Sequence, residues 1–329
     1  MGEGFACGIR EEGLMLPPLA GYTDYPYRRL MARFDPPFMV TEMISASAIL
    51  HGNEKTKRML ARIEGVQCEG MQLVGPEASD MAEAAKVAEG LGYAYVDVNM
   101  GCIIHKITRQ GAGIALMGDE DRAVEIAAAM VDAVDIPVTC KMRLGLTSDA
   151  HNAVSLSKRL EDVGVSAVTI HGRTGEKKFG MEVDFEGIRR VVEAVNIPVV
   201  ANGGIYTGAD AMEMMKKTGA AAVMPGRGIV GNPWLVHEID AALKGEEYAP
   251  PTLAEKKETC LLHLSYLRDY FGDRDAAVHM RTILPRYFTG CTNIRSLHHD
   301  VYATNTPEDV AALLDRIVDG GEKGVYDTR

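Results

Sequence analysis

"AVDIPVTCKMRLG" (133–145) and "AVNIPVVANGGI" (194–205) follow one pattern: a helix end, a short turn with Pro, and an apolar run that reaches Gly. Pro lacks an N–H, so it suits the first residue of a strand rather than its middle. A short, continuous apolar run fits a strand buried on both faces, as in a parallel sheet. With 137–145 and 198–205 taken as two such runs, six more occur at 14–21, 38–43, 70–75, 95–102, 167–174 and 222–228. Helical patterns lie between most of them, at 79–91, 119–134, 151–164, 184–195 and 208–219. Ser79 and Asp80 are capping candidates for the first, the second starts acidic, and the third ends at Gly164. A β-α unit repeated eight times closes into a (β/α)8 TIM barrel, an α/β fold. An open doubly wound sheet is the runner-up and lacks a G-x-G-x-x-G after its first strand.

The repeat accounts for about 14 to 245 of the 329 residues. "EEYAPPT" (246–252) reads as a join, and the stretches 253–272 and 308–320 have the Leu and Ile spacing of amphipathic helices. The expected organisation is a catalytic barrel over 1–245 and a small all-helical domain over 246–329.

The net charge of −11 argues against a basic footprint over the whole surface, but it leaves room for a local basic groove. None of the six cysteines lies in a C-x-x-C pair, and no Cys/His cluster has zinc spacing, so no metal site is expected. The N-terminus lacks a basic region followed by an apolar run, and no apolar stretch reaches the ~18 residues of a membrane span. The expectation is a cytoplasmic monomer away from membranes.

Active sites in such barrels lie at the C-terminal ends of the strands. In chain order those ends carry Pro18, Ala20 and Gly21; Glu42; Gln72; Asn99 and Cys102; Lys141 and Arg143; His171 and Arg173; Asn202, Gly203 and Gly204; Gly226 and Arg227. The glycines of runs seven and eight would let backbone N–H groups approach an anion, with Arg227 as a bidentate donor. Asn232 and Pro233 follow as cap and first residue of a helix whose N-terminus faces the same anion. Lys141 has two chemical readings, a Schiff-base lysine or a cation for the pyrimidine edge of a flavin. Gln72 suits the other side of that edge.

These stretches resemble the FMN-dependent tRNA-dihydrouridine synthases. The resemblance rests on LPPLAGYTDYPYRRL (16–30), TEMISASAI (41–49), QLVGPE (72–77), VDVNMGCIIHKITRQGAGIALM (96–117), VTCKMRLG (138–145), TIHGRT (169–174), VVANGGIY (199–206) and VMPGRGIVGNPWL (223–235). It implies that FMN lies across the barrel mouth, with Pro18, Gln72, Lys141 and His171 on the ring and ribityl chain. Asn202, Gly204, Gly226 and Arg227 would take its phosphate. Asn99 and Arg173 would orient a uracil of tRNA, and Cys102 would be the general acid, with NADPH as electron donor. Tyr22, Tyr25 and Tyr27 would line the entrance for a base taken out of its stack, while Lys106, Arg109 and Arg143 would meet RNA phosphates.

Two features depart from the family. Ile103 follows the cysteine where Pro is usual, and Thr282 and Arg286 stand where Lys and Trp are common in HMRTILPRYFTG (279–290). Residues 251–329 hold 10 Lys and Arg against 12 Asp and Glu. Alternatives from other classes are a flavin barrel reducing a small unsaturated molecule, a non-catalytic RNA-binding relative, and a Schiff-base aldolase.

Overall fold

A computed structural model describes residues 2–52, 54–176 and 182–318. Its strands are β1 (Met39–Val40), β2 (Ile44–Ser45), β3 (Glu69–Val74), β4 (Tyr95–Met100), β5 (Val138–Arg143), β6 (Gly145–Thr147), β7 (Ala150–His151), β8 (Ala167–His171), β9 (Val199–Asn202) and β10 (Ala222–Met224). All but β6 and β7 belong to one parallel sheet in the order β1-β3-β4-β5-β8-β9-β10, with β2 continuing beyond β1 on the same edge of β3. Residues 14–16 close the ring. Leu14 bridges Val223 in parallel, Met15 N–H donates to Val223 O at 3.0 Å, and Leu16 N–H donates to Phe38 O at 2.9 Å. The barrel is therefore built from the eight expected runs, the second broken around Glu42 and the first reduced to a bridge.

A two-residue period is concealed inside the apolar runs. Val96, Val98 and Met100 of β4 and Val138, Cys140 and Met142 of β5 face outward into the core under the helices. The alternate positions, Tyr95, Asp97 and Asn99, then Thr139, Lys141 and Arg143, face the barrel axis. Cys140 is thus a packing residue. The lower part of the axis is apolar, with Met15, Val40, Tyr95, Val200 and Met224 packed together. Gly70 leaves room there, since a Cβ on it would lie 2.3 Å from the Tyr95 ring.

An unexpected helix, Gly2–Glu12, joins this lower core through Phe5 and Ile9. Its glycines make it a poor helix former, so packing rather than propensity supports it. A hairpin of β6 and β7 also interrupts the loop after β5.

The expected barrel helices are present at Ala78–Gly90, Glu120–Ala133, Ala153–Asp162, Phe185–Val192 and Gly208–Thr218. Ser79 and Asp80 are not caps. They sit inside the first of these helices, whose N-cap is Glu77 with no capping side chain. Glu77 instead pairs with Arg122 at 2.8 Å, while Arg122 Nε donates to Pro76 O at 2.7 Å.

Beyond the join, helix Leu253–Phe271 starts with a capping box of Thr252 and Glu255. It is followed by helices Asp273–Tyr287, His298–Ala303 and Pro307–Asp315. The end of the predicted 308–320 stretch, from residue 319, lies outside the described residues. Helix 253–271 packs against helix Tyr25–Met31 of the barrel, with Tyr25 stacked on Tyr270 (5.7 Å) and Tyr27 against His263 (6.1 Å). Among the described residues no helix is long and apolar enough to cross a membrane.

Candidate active site

Strand register builds the site. Gln72 lies beside Asp97, and Asp97 beside Thr139, forming one polar rung across β3, β4 and β5. One rung higher, Asn99 lies beside Lys141; above that, Arg143 lies beside His171 and His171 beside Asn202. Because parallel neighbours in register share a face, these side chains all meet over the axis. They open into a cavity of about 620 Å³ at the C-terminal ends of the strands.

The deepest rung is buried and fully engaged. Thr139 Oγ1 donates to Asp97 Oδ1 at 2.6 Å, and Gln72 Nε2 donates to Asp97 Oδ2 at 2.7 Å. Asn99 Nδ2 donates to Gln72 Oε1 at 2.8 Å, and Asn99 Oδ1 accepts from Gly101 N at 3.2 Å and Cys102 N at 2.9 Å. An ionised carboxylate only accepts. Asp97 therefore fixes which end of the Gln72 amide faces it. Gln72 fixes Asn99 in turn, and Asn99 turns its oxygen onto the Cys102 loop. Burial raises the Asp97 pKa, while hydrogen bonds from Gln72 and Thr139 and the charge of Lys141 oppose the rise.

Asp97→Asn gives the relay a side chain that both donates and accepts, so its polarity is no longer imposed. The expected result is a Cys102 that reacts several-fold faster with iodoacetamide, measured by peptide mapping. Unchanged alkylation would show that the carboxylate does not order the loop.

Cys102 is held at further points. Its carbonyl accepts from Ile114 N at 3.0 Å, and Arg143 Nε donates to Gly101 O at 3.0 Å. Gly113 (φ +62°) lets the chain pack against the loop, since a Cβ there would lie 2.7 Å from Cys102 O. The loop is thus fixed with Ile103 in place of Pro. Burial raises the thiol pKa above its ordinary value, although the Ile104 N–H and the Arg143 charge favour the thiolate.

Lys141 Nζ donates to Asn202 Oδ1 at 2.9 Å, and Asn202 Nδ2 donates to Met224 O at 2.7 Å. Burial lowers Lys141 to about 8, against the pull of Asp97. His171 is pushed down to about 2 by burial and by Lys141, Arg143 and Arg173, so it is neutral. Arg173 Nη1 lies 3.2 Å from His171 Nε2; an arginine can only donate, which places the imidazole proton on Nδ1.

Pro18, Gln72, Asn99, Cys102, Lys141, Arg143, His171, Arg173, Asn202, Gly204, Gly226 and Arg227 all line this cavity, as does Tyr22. A Cβ on Gly226 would meet nothing within 4 Å, so the glycine opens the backbone of the β10 end to the cavity beside Arg227. These residues, a buried cation, neutral amides and bare backbone beside an arginine, fit a flat heterocycle with a phosphate tail.

Lys106 and Arg109 are exposed outside the cavity lining, on and just after the short helix His105–Thr108. Other expectations are not met. Arg143 is buried, and its guanidinium braces Gly101 O and Thr174 O, so it is no surface contact for phosphates. Tyr25 and Tyr27 face the C-terminal helices, because the Asp24 cap starts a helix that turns them away from the mouth. Glu42 accepts from Gly21 N at 2.5 Å, and its neighbour Met43 reaches the cavity instead. Asn232 does not cap a helix. The helix is Leu235–Lys244 with Trp234 at its N-cap, held between Phe34 (5.8 Å) and Tyr287 (6.2 Å). Sequence reasoning missed Asp97, Tyr206 and Arg286; the last lines the cavity from helix 273–287, 5.7 Å from the Tyr22 ring. No group of His, Cys, Asp and Glu able to hold a metal occurs among the described residues.

Residues 15–319 match the family model described as dihydrouridine synthase. The chain belongs to the dihydrouridine synthase family. It is 38% identical over 296 residues to a probable tRNA-dihydrouridine synthase of Rickettsia conorii, covering 89% of each chain. It is 37% identical over 260 residues to tRNA-dihydrouridine synthase B of Proteus vulgaris, covering 79% of this chain and 80% of that one. Among solved structures, morphinone reductase is similar with a TM-score of 0.51 and 15% identity, covering 74% of this chain and 88% of the other. That likeness concerns the barrel fold of this dihydrouridine synthase family member.

Proposed function

We propose that the protein reduces the C5–C6 double bond of uridines in tRNA to dihydrouridine, with FMN as cofactor and NADPH as reductant. The observation that carries the reading is a protonated, braced thiol on the rim of a cavity whose floor holds a buried lysine and a neutral histidine. FMN, held by Pro18, Gln72, Lys141, His171, Asn202, Gly204, Gly226 and Arg227, would supply the hydride for C6 of the uracil, with NADPH as the source of its electrons.

Lys141 keeps most of its charge at pH 7 and favours an anionic O2/N1 edge on the ring. Gln72 and Pro18 hold the pyrimidine and its neighbour, and neutral His171 offers a hydrogen-bonding nitrogen without adding charge. Asn202, Gly204, Gly226 and Arg227 bind the phosphate. Asn99 and Arg173 orient the uracil, and Tyr22 flanks its entry.

Cys102 passes its Sγ proton to C5. The thiolate left behind is stabilised by the Ile104 N–H and the Arg143 charge until water restores the proton. One hydride and one proton thus add across the double bond. Residues 1–245 carry this chemistry, and residues 246–329 hold the tRNA, with exposed Lys106 and Arg109 as further phosphate contacts.

The test is direct. Bulk tRNA lacking dihydrouridine, incubated with the flavin-loaded protein and NADPH, should gain dihydrouridine at a defined position. Unchanged tRNA, with flavin that still reacts with NADPH, would sink the reading in favour of a small-molecule substrate.

A further inference from the structure

A second, smaller cavity of about 110 Å³ lies where the loop after β10 meets the C-terminal helices. It shares Tyr206, Arg227 and Arg286 with the main cavity and adds Asn232 and Lys256. Three cations face it, and no Asp or Glu is among its lining residues.

That is unusual in a chain of net charge −11, whose basic side chains on the outer helices are widely paired with carboxylates, as Lys217 with Glu213 and Lys244 with Asp240. Among the described residues, Lys256 and Arg286 have no carboxylate within ion-pair distance. Both are half-buried, which limits hydration of their charges. Their positions are also built. Gly231 (φ +68°) lies so close to helix 273–287 that a Cβ would stand 2.7 Å from Arg286 Cβ. Loop and helix therefore interlock around the pocket.

Charge selects the occupant: three cations around a space of about 110 Å³, with no carboxylate in the lining, suit a small anionic group such as one tetrahedral phosphate. The phosphate of the proposed cofactor would be held in the main cavity, whose lining includes Gly204 and Gly226. A nucleotide whose base enters that cavity carries a phosphate on each side, and the shared residues make the two spaces neighbours.

We propose that this seam pocket binds an RNA phosphodiester flanking the target nucleotide, with Lys256 and Arg286 as its cations. The inference rests on the tRNA reading above and adds a residue-level contact between the C-terminal helices and the substrate strand. It also gives Arg286, a departure from the family pattern, a task of its own.

The experiment is a salt titration of binding to bulk tRNA lacking dihydrouridine, using flavin-loaded wild type, Lys256→Met, Lys256→Arg and, as a remote control, Lys244→Met. Methionine keeps the aliphatic stem and removes the charge. Lys256→Met should weaken binding about fivefold to tenfold at 0.1 M salt and reduce the slope of log K against log salt by about 0.7–0.9. Lys256→Arg should restore both, and Lys244→Met should change neither.

Unchanged affinity and slope in Lys256→Met would overturn the proposal, as would loss of flavin from that variant, which would assign the pocket to the cofactor. Failure of the wild type to bind or reduce tRNA would instead overturn the functional reading on which it rests.

Discussion

Cys102→Ala is expected to lower the rate of dihydrouridine formation by about 10²–10⁴-fold, the usual worth of a positioned general acid. Flavin content and the reduction of bound flavin by NADPH should stay near wild type, because neither step uses the thiol proton. The variant should fold, since Cys102 is half-exposed and its backbone carries the bonds to Asn99 and Ile114. The raised thiol pKa sets the sign of the pH dependence. The proton is present below the thiol pKa and lost as pH rises through it, so the thiol's contribution should hold at neutral pH and be lost only on an alkaline limb above the ordinary thiol range. In cells, tRNA from a deletion strain should lack dihydrouridine at a defined site, and the Cys102→Ala gene should not restore it. Full activity in the variant would mean that C5 takes its proton from elsewhere.

The barrel and most of its mouth are legible in the sequence because both follow a period. Each strand ends at a Gly or polar residue, and alternate positions face one axis, so reading the last residues of every run collects the cavity lining. Asp97 escaped that reading because it lies one rung deeper, in the middle of YVDVNM. The signal was nonetheless present: a lone carboxylate inside a buried run needs partners, and Gln72 and Thr139 are its cross-strand neighbours.

Other residues are set by packing that no local pattern records. Arg286 reaches the mouth because helix 273–287 docks on the loop after β10, and Gly231 makes the approach possible. Arg143 looks like a surface cation in sequence and becomes a brace once the Cys102 loop folds over it. The Gly-rich helix 2–12 has weak propensity and exists because Phe5 and Ile9 close the lower end of the barrel.

Glu69→Ala is expected to destabilise the fold by about 3–5 kcal/mol, the cost of stranding one member of a buried ion pair. Glu69, at the start of β3, and Arg28, on helix 25–31, are both almost wholly buried and paired. The second carboxylate oxygen accepts from Ile63 N at 2.7 Å, and Arg28 Nη2 donates to Ala61 O at 3.1 Å. Removing the carboxylate leaves the guanidinium dry and the Ile63 N–H unpartnered. In a chain of this size the melting temperature should fall by about 4–7 °C. Burial raises the Glu69 pKa despite Arg28, so in this pair desolvation outweighs attraction. A carboxyl raised above its unfolded value costs stability as pH climbs through the interval between the two values. Wild type should therefore lose part of its advantage over Glu69→Ala between pH 4 and pH 8, whereas replacing both partners together, as Arg28→Met with Glu69→Leu, should recover most of the loss by a similar amount at either pH, because neither variant carries the carboxyl. A double variant no more stable than Glu69→Ala at either pH would show that the loss comes from the backbone contacts of Ile63 and Ala61 rather than from the stranded charge.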